Sequence, residues 1–315
     1  MGFETLLGNS RLKKNLTAAL QQGKTAHFYL ISGPEGSGKR TLAKLLSAAV
    51  MCEGTHRPCG KCENCRKIEA DVHPDVITVT DPEHKTVPVR IIRQMREDVF
   101  IRPNEGNKKI YIFPQEMGVD GQNALLKILE EPPSYGFFLL LTDNSDKILP
   151  TVRSRCVELT LQPLEEALLL PVLRREFPQA EENSLQAAIG RSGGFLGQAR
   201  QLLQEGIEDA PQTENFVTAL CSGDALLLMR VLVPMEKWKR DQLIPLLQQW
   251  TALLEGALAI GSGGQAVSPL SARLAAAKRP TELLHNITQL QKCTEYAQGN
   301  VSPAAICGYL QWLLR

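Results

Sequence analysis

Three groups of residues have types and spacings suited to chemistry. The first, Gly33-Pro-Glu-Gly-Ser-Gly-Lys39, has the form G-x-x-x-x-G-K. Where such a loop joins a strand to a helix, its backbone N–H groups and the helix N-terminus cradle phosphates, and the lysine reaches the terminal ones. Gly33, Gly36, Gly38, Lys39, Arg40 and Thr41 are therefore candidate ATP or ADP contacts, with a plain Gly-rich turn as the alternative. The position after the lysine, where Ser or Thr ordinarily ligates Mg2+, is Arg40, and arginine cannot ligate a cation. Phosphate-loop ATPases also need acids at the end of the third strand to hold the metal and polarise water. Here IYIF is followed by Pro114 and Gln115, with Glu116 the nearest acid. Two independent losses predict a degraded Mg2+ site and no efficient hydrolysis.

The second group is Cys52-x6-Cys59-x2-Cys62-x2-Cys65, four of eight cysteines within fourteen residues. Four thiolates satisfy tetrahedral Zn2+, so the spacing predicts a closed structural zinc site over about 52–65. His56 and His73 are substitute ligands if one thiol points away, and a redox pair or buried thiols are the other reading. The third group is arginines. Arg155 lies in Ser154-Arg155-Cys156, where the bland reading is a solvated or ion-paired side chain. Arg90, Arg93 and Arg96 fall three apart and make a cationic stripe, which by itself reads as an exposed charged face beside Glu97 and Asp98. Lys108 and Lys109 read as ordinary exposed cations.

These residues need elements to hold them. HFYLIS (27–32), 76–79, 109–113, FFLLL (137–141) and 157–161 read as strands, alternating with helices at 39–51, 89–101 and around 123–129. That alternation predicts a doubly wound α/β sandwich with a parallel sheet. After Pro163 helical periodicity takes over: a small helical domain at 164–207, then a Leu-rich all-helical domain at 208–315 with one loop at Gly261 to Gln265. Trp238, Trp250 and Trp312 read as core of that last domain. At 315 residues the chain exceeds what one core organises. With 43% hydrophobic and 22% charged residues it can bury a large core. A formal charge of +1 excludes bulk attraction to nucleic acid or anionic membrane, so any DNA contact must be local. No apolar run reads as a membrane span, and MGFETLLGNSRLKKNL lacks the apolar core of a signal peptide, so a cytoplasmic location is expected.

The phosphate loop, the cysteine cluster, NALLKILEEPP (123–133), LTDN and ILPTVRSRC (141–156) and SGGFLGQA (192–199) occur in one order. Together they resemble bacterial DNA polymerase III clamp-loader subunits, AAA+ proteins of the delta-prime and gamma/tau type. The resemblance covers about the first 200 residues; the rest fits by length and helical character alone. It implies a RecA-like AAA+ P-loop domain (1–163) with an inserted zinc module, a helical lid (164–207) and a helical collar (208–315) that joins subunits in a hetero-pentamer with gamma/tau and delta. Through that ring it implies dealings with a sliding clamp and primed DNA during DNA replication. The helix that carries Arg90 and Arg93 faces the central channel in related clamp loaders, so the resemblance makes these two candidate contacts to the DNA backbone. Composition gives no membrane partner. Length and the degraded metal motifs lie nearer delta-prime, a stator that donates an arginine finger to its neighbour, than a gamma/tau-like ATPase in which Thr41 and Glu116 fill the missing roles. Arg155 matches the finger, the sensor-1 region falls at Thr142 to Asn144, and Gly197 stands where active relatives place the sensor-2 arginine. Nucleotidyl transfer would belong to the polymerase III holoenzyme, since no constellation of metal-binding carboxylates is visible in this chain.

Overall fold

The computed structural model describes residues 2–205, 211–261, 268–299 and 301–314. The expected boundary near 207 and all but the first residue of the loop beginning at Gly261 lie outside them. In chain order the first elements are α1 (Ser10–Gln21), β1 (Phe28–Ser32), α2 (Lys39–Met51), α3 (Glu63–Glu69), β2 (Val76–Thr78), α4 (Val89–Asp98) and β3 (Lys109–Phe113). They are followed by α5 (Val119–Glu130), β4 (Gly136–Thr142), α6 (Pro150–Arg153) and β5 (Val157–Thr160). Helices α7 (Glu166–Glu176), α8 (Glu182–Arg191), α9 (Leu196–Glu205), α10 (Pro211–Ser222), α11 (Ala225–Met235), α12 (Arg240–Gly261), α13 (Pro269–Ala277), α14 (Pro280–Gln298) and α15 (Pro303–Leu313) complete the chain. It divides into two compact units, one of residues 1–169 with 194–198, the other of 170–193 with 199–315.

The first unit is built on a five-stranded parallel sheet in the order β2-β3-β4-β1-β5. Alternation along buried strands sends successive side chains to opposite faces, and both faces are covered. Tyr29, Ile31, Ile110, Ile112, Phe137 and Leu139 pack with Leu42, Leu46 and Ile68 on one side. Phe28, Leu30, Tyr111, Phe113, Phe138 and Leu140 pack with Ile92, Leu125 and Ile128 on the other. The register sets Ser32 opposite both Thr142 and Thr160, so the chain leaves β1, β4 and β5 at one edge of the sheet. In such sheets ligands bind beyond the carboxyl ends of the strands, where the order reverses.

Two buried charges fix the opposite flank. Lys109 is only 3% exposed, contrary to the expectation of a solvated cation. Its three ammonium donors are used by Asp98 Oδ1 at 2.9 Å, the Asp98 carbonyl at 2.9 Å and the Ile101 carbonyl at 3.4 Å. Tyr111 donates to Asp98 Oδ2 at 2.7 Å, so one carboxylate neutralises the lysine and anchors the end of α4. Helix α4 ends at Asp98, short of the expected 101. Asp75, fully buried, accepts from the backbone N–H groups of Asn104 (2.6 Å), Glu105 (2.8 Å) and Gly106 (2.7 Å) and from Asn104 Nδ2 (3.1 Å). Burial pushes its carboxyl up, but these donations outweigh it and hold the pKa below the ordinary carboxylate value.

Asp75→Asn exchanges an acceptor for an NH2 group that faces backbone donors, and is expected to cost about 2–4 kcal/mol in denaturant unfolding. Because the folded pKa of Asp75 is depressed, the wild-type excess over the variant should be complete above the unfolded carboxyl value of about 4 and vanish as pH falls through the lower folded value. An excess that does not change with pH in acid would sink this account.

The second unit is all helical within its described residues. Phe216 stacks on Trp250 with ring centroids 3.7 Å apart, and Trp250 donates to Thr213 Oγ1 at 3.2 Å. Leu243, Leu247, Trp250, Leu254 and Ala257 line the buried face of α12. Contrary to the expectation that no apolar run is long enough, Gln242–Gly261 of α12 could cross a membrane by length and composition; its buried face packs it as a core helix of the bundle. Trp238 packs at the margin of this core, whereas Trp312, expected inside, is 68% exposed.

Candidate functional site

Gly33 to Lys39 leave β1 and open α2, the placement that a phosphate loop requires. Gly36 and Gly38 have φ of 75° and 97°, left-handed conformations open to glycine, and Gly38 caps the helix. A Cβ on Gly36 would stand 2.5 Å from the backbone nitrogen of Gln198, and one on Gly197 would stand 2.6 Å from the Cα of Gly36. Gly197 N donates to the Gly36 carbonyl at 2.9 Å and Gln198 Nε2 to the Glu35 carbonyl at 3.0 Å, so residues 197–198 lie directly on the loop. Packing therefore requires glycine at 197, since any side chain there would collide with the backbone of Gly36.

Lys39 is turned inward. Its side chain is 13% exposed, and Nζ donates to the carbonyls of Gly33 (2.6 Å) and Pro34 (2.8 Å) and to Asp143 Oδ1 (2.5 Å). Arg40 and Thr41 are exposed. Glu116 is paired with Lys147 at 2.7 Å. Gln115 is a structural clamp: it accepts from Thr80 Oγ1 and Asp81 N and donates to the carbonyls of Asp81 and His84. The set does not fit Mg2+-nucleotide: an arginine stands at the metal position, Glu116 is engaged elsewhere, and the loop lysine has no free donor.

The cysteine cluster is assembled by the end of α2 and the start of α3. Cys52 follows α2, Cys62 precedes α3 and Cys65 lies in its first turn. The four Sγ atoms lie within 4.8 Å of one another. A tetrahedral ion with bonds of about 2.3 Å needs sulfurs about 3.8 Å apart, so a small contraction brings all four onto one centre. Cys52 Sγ accepts from the N–H groups of Gly54 and Cys59, and Cys59 Sγ from those of Lys61 and Cys62, all at 3.3–3.4 Å. The amides of Lys61 and Cys62 lower the Cys59 thiol to about 6, while burial raises those of Cys65 and Cys52. This donor set can bind a structural metal. His73 is not a spare ligand: its Nδ1 accepts from Asp75 N at 3.1 Å and its Nε2 contacts Asn64 Oδ1 at 3.2 Å.

Arg155 lies two residues past the end of α6, after the capping Ser154. Its guanidinium donates to the Thr151 carbonyl at 2.9 Å and to Glu130 Oε1 at 3.1 Å, and its side chain is 39% exposed. Burial pushes the thiol of the neighbouring Cys156 up to about 12. On α4, Arg90 and Arg93 are exposed and Arg96 is half buried, while Arg90 stands 3.7 Å from Asp81. Sequence reasoning missed Asp143 as the partner of Lys39, although an acid just past the strand beside β1 was a usable signal. It also missed the buried Gln122, which donates to the Met117 and Lys147 carbonyls and accepts from Leu149 N, tying α5 to the segment that leads to Arg155.

Strand order, the loop after β1 and helices on both faces define an α/β P-loop protein of the AAA+ class. Residues 8–165 match the family model described as "DNA polymerase III, delta subunit". The chain is 33% identical over 213 residues to DNA polymerase III subunit tau of Bacillus subtilis, covering 65% of this chain and 38% of that one. It is 35% identical over 193 residues to DNA polymerase III subunit delta' of Pseudomonas aeruginosa, covering 58% of each. The match thus spans less than two thirds of either relative. The chain belongs to the DNA polymerase III clamp-loader subunits of the delta-prime and gamma/tau type.

Proposed function

We propose that this chain is the delta-prime-like stator of a DNA polymerase III clamp loader. In this reading it binds gamma/tau and delta subunits through a collar at 208–315, and helps to place a sliding clamp on primed DNA in the cytoplasm. It supplies Arg155 in trans to the ATP of a neighbouring gamma/tau subunit, where a planar cation stabilises charge developing on the transferred phosphoryl group. The observation that carries the reading is the pairing of two features in one chain. Arg155 is held at the surface by only two contacts, while the chain's own loop has lost its metal-handling groups. A finger acting in trans needs no nucleotide in its own subunit, so the two features are consistent. Zn2+ in the Cys52–Cys59–Cys62–Cys65 site would be structural, since a closed four-thiolate set leaves no position for substrate. In this reading the exposed Arg90 and Arg93 would meet phosphates of the duplex, sequence-independently.

The rival reading is an active gamma/tau-like ATPase. The purified chain alone is expected to hydrolyse ATP no faster than its Lys39→Ala variant. A wild-type rate well above that of Lys39→Ala would overturn the stator reading.

A further inference from the structure

An ammonium group has three donors and no acceptor. In Lys39 all three are consumed within the chain, by the carbonyls of Gly33 and Pro34 and by Asp143 Oδ1 at 2.5 Å. The third partner is an anion, and it stands where a phosphate loop ordinarily directs its lysine towards phosphate. The fold puts it there: Thr142 is paired in register with Ser32, and Gly33 N donates to the Thr142 carbonyl at 3.2 Å, so Asp143 leaves β4 alongside the first residue of the loop. Asp143 itself is 57% exposed, so its second oxygen keeps its hydration while the first satisfies a nearly buried cation. The same carboxylate adds a negative charge at the mouth of a site that an anion would have to enter.

We infer that Asp143 is a built-in competitor for phosphate at Lys39, and that this one side chain keeps the loop from taking a polyphosphate ligand. Arg40 removes the metal ligand, but the loss of Mg2+ contacts does not by itself stop the loop amides and lysine from holding an anion. The carboxylate does. The backbone shape of the loop, with Gly36 and Gly38 in left-handed conformations, is that of an anion cradle. The inference deepens the reading of the chain as a subunit that does not hydrolyse ATP, and rests on it in that respect.

The test is binding to the isolated full-length chain, by titration calorimetry with inorganic tripolyphosphate and by fluorescence with a ribose-labelled ATP analogue. Asp143→Asn keeps the shape and removes the charge. It should bind tripolyphosphate at least tenfold more tightly than the wild type, and the double variant Lys39→Ala/Asp143→Asn should lose that gain. Thermal melting of each variant checks the fold, which an exposed isosteric change should leave intact. Wild-type binding as tight as that of Asp143→Asn, or a gain that survives in the double variant, would overturn the inference. So would a folded Asp143→Asn chain that binds no better. None of these outcomes involves Arg155 or a partner subunit. The stator reading fails instead on hydrolysis by the isolated chain, so the two failures are distinguishable.

Discussion

Arg155→Ala is expected to lower the ATPase rate of a clamp loader reconstituted with gamma/tau and delta partners by tenfold or more, while the variant still folds and joins the ring. The fold should survive because the side chain is 39% exposed and its contacts are one carbonyl and the exposed Glu130. Surface pairs of this kind contribute about 0–1 kcal/mol, so releasing the guanidinium from Glu130 to meet a neighbour's phosphates costs little. The rate should fall because removal of a trans arginine forfeits transition-state charge stabilisation, worth about 10³ or more where it has been isolated. Arg155→Lys separates charge from shape. A planar guanidinium grips two oxygens at once where an ammonium is a point charge, so lysine should restore only part of the rate. An Arg155→Ala complex that assembles and hydrolyses ATP at the wild-type rate would remove the finger assignment.

What could be read without coordinates was local. The continuous apolar runs FYLIS, KIYIF and GFFLLLT are buried on both faces of the sheet, and each stands out over a handful of neighbouring residues. The Gly-rich loop and the cysteine cluster are equally local, because their chemistry depends on spacings of two to six residues. The features that escaped are pairings across the chain. Lys109 looks like any surface lysine until Asp98 is brought beneath it, and Lys39 looks like a phosphate ligand until β4 delivers Asp143. Helix α3 went unseen because its seven residues carry only Cys65 and Ile68 as buried positions, too few for a helical period. Trp312 fails the rule that large aromatics are core, since a ring on the last helix is buried only if some other surface covers it.

The second large effect concerns the cysteines. The purified chain is expected to carry about one zinc by elemental analysis, and Cys65→Ser should lose it and melt about 6–12 °C lower. Cys65 and Cys52 are both 3% exposed and belong to the apolar layer beneath α2. Cys59 and Cys62 lie in the 53–62 segment, where Pro58 alone is buried and the two cysteines pack at the margin of that layer, so a metal joining all four thiolates would tie the segment to it more firmly. Zinc binding in isolated four-ligand modules is worth about 10–16 kcal/mol, much of it folding free energy. Inside a larger core only part of that should appear, and about 3 kcal/mol gives the stated shift for a unit of this size. Cys156→Ser is the control, a half-buried thiol outside the cluster, and should leave both metal content and melting nearly unchanged. Chelation in the presence of a reductant should reproduce the Cys65→Ser melt in the wild type. If the reduced wild type holds no metal, or if Cys65→Ser melts no lower than Cys156→Ser, the cluster is a set of buried thiols and zinc has no part in holding the unit together.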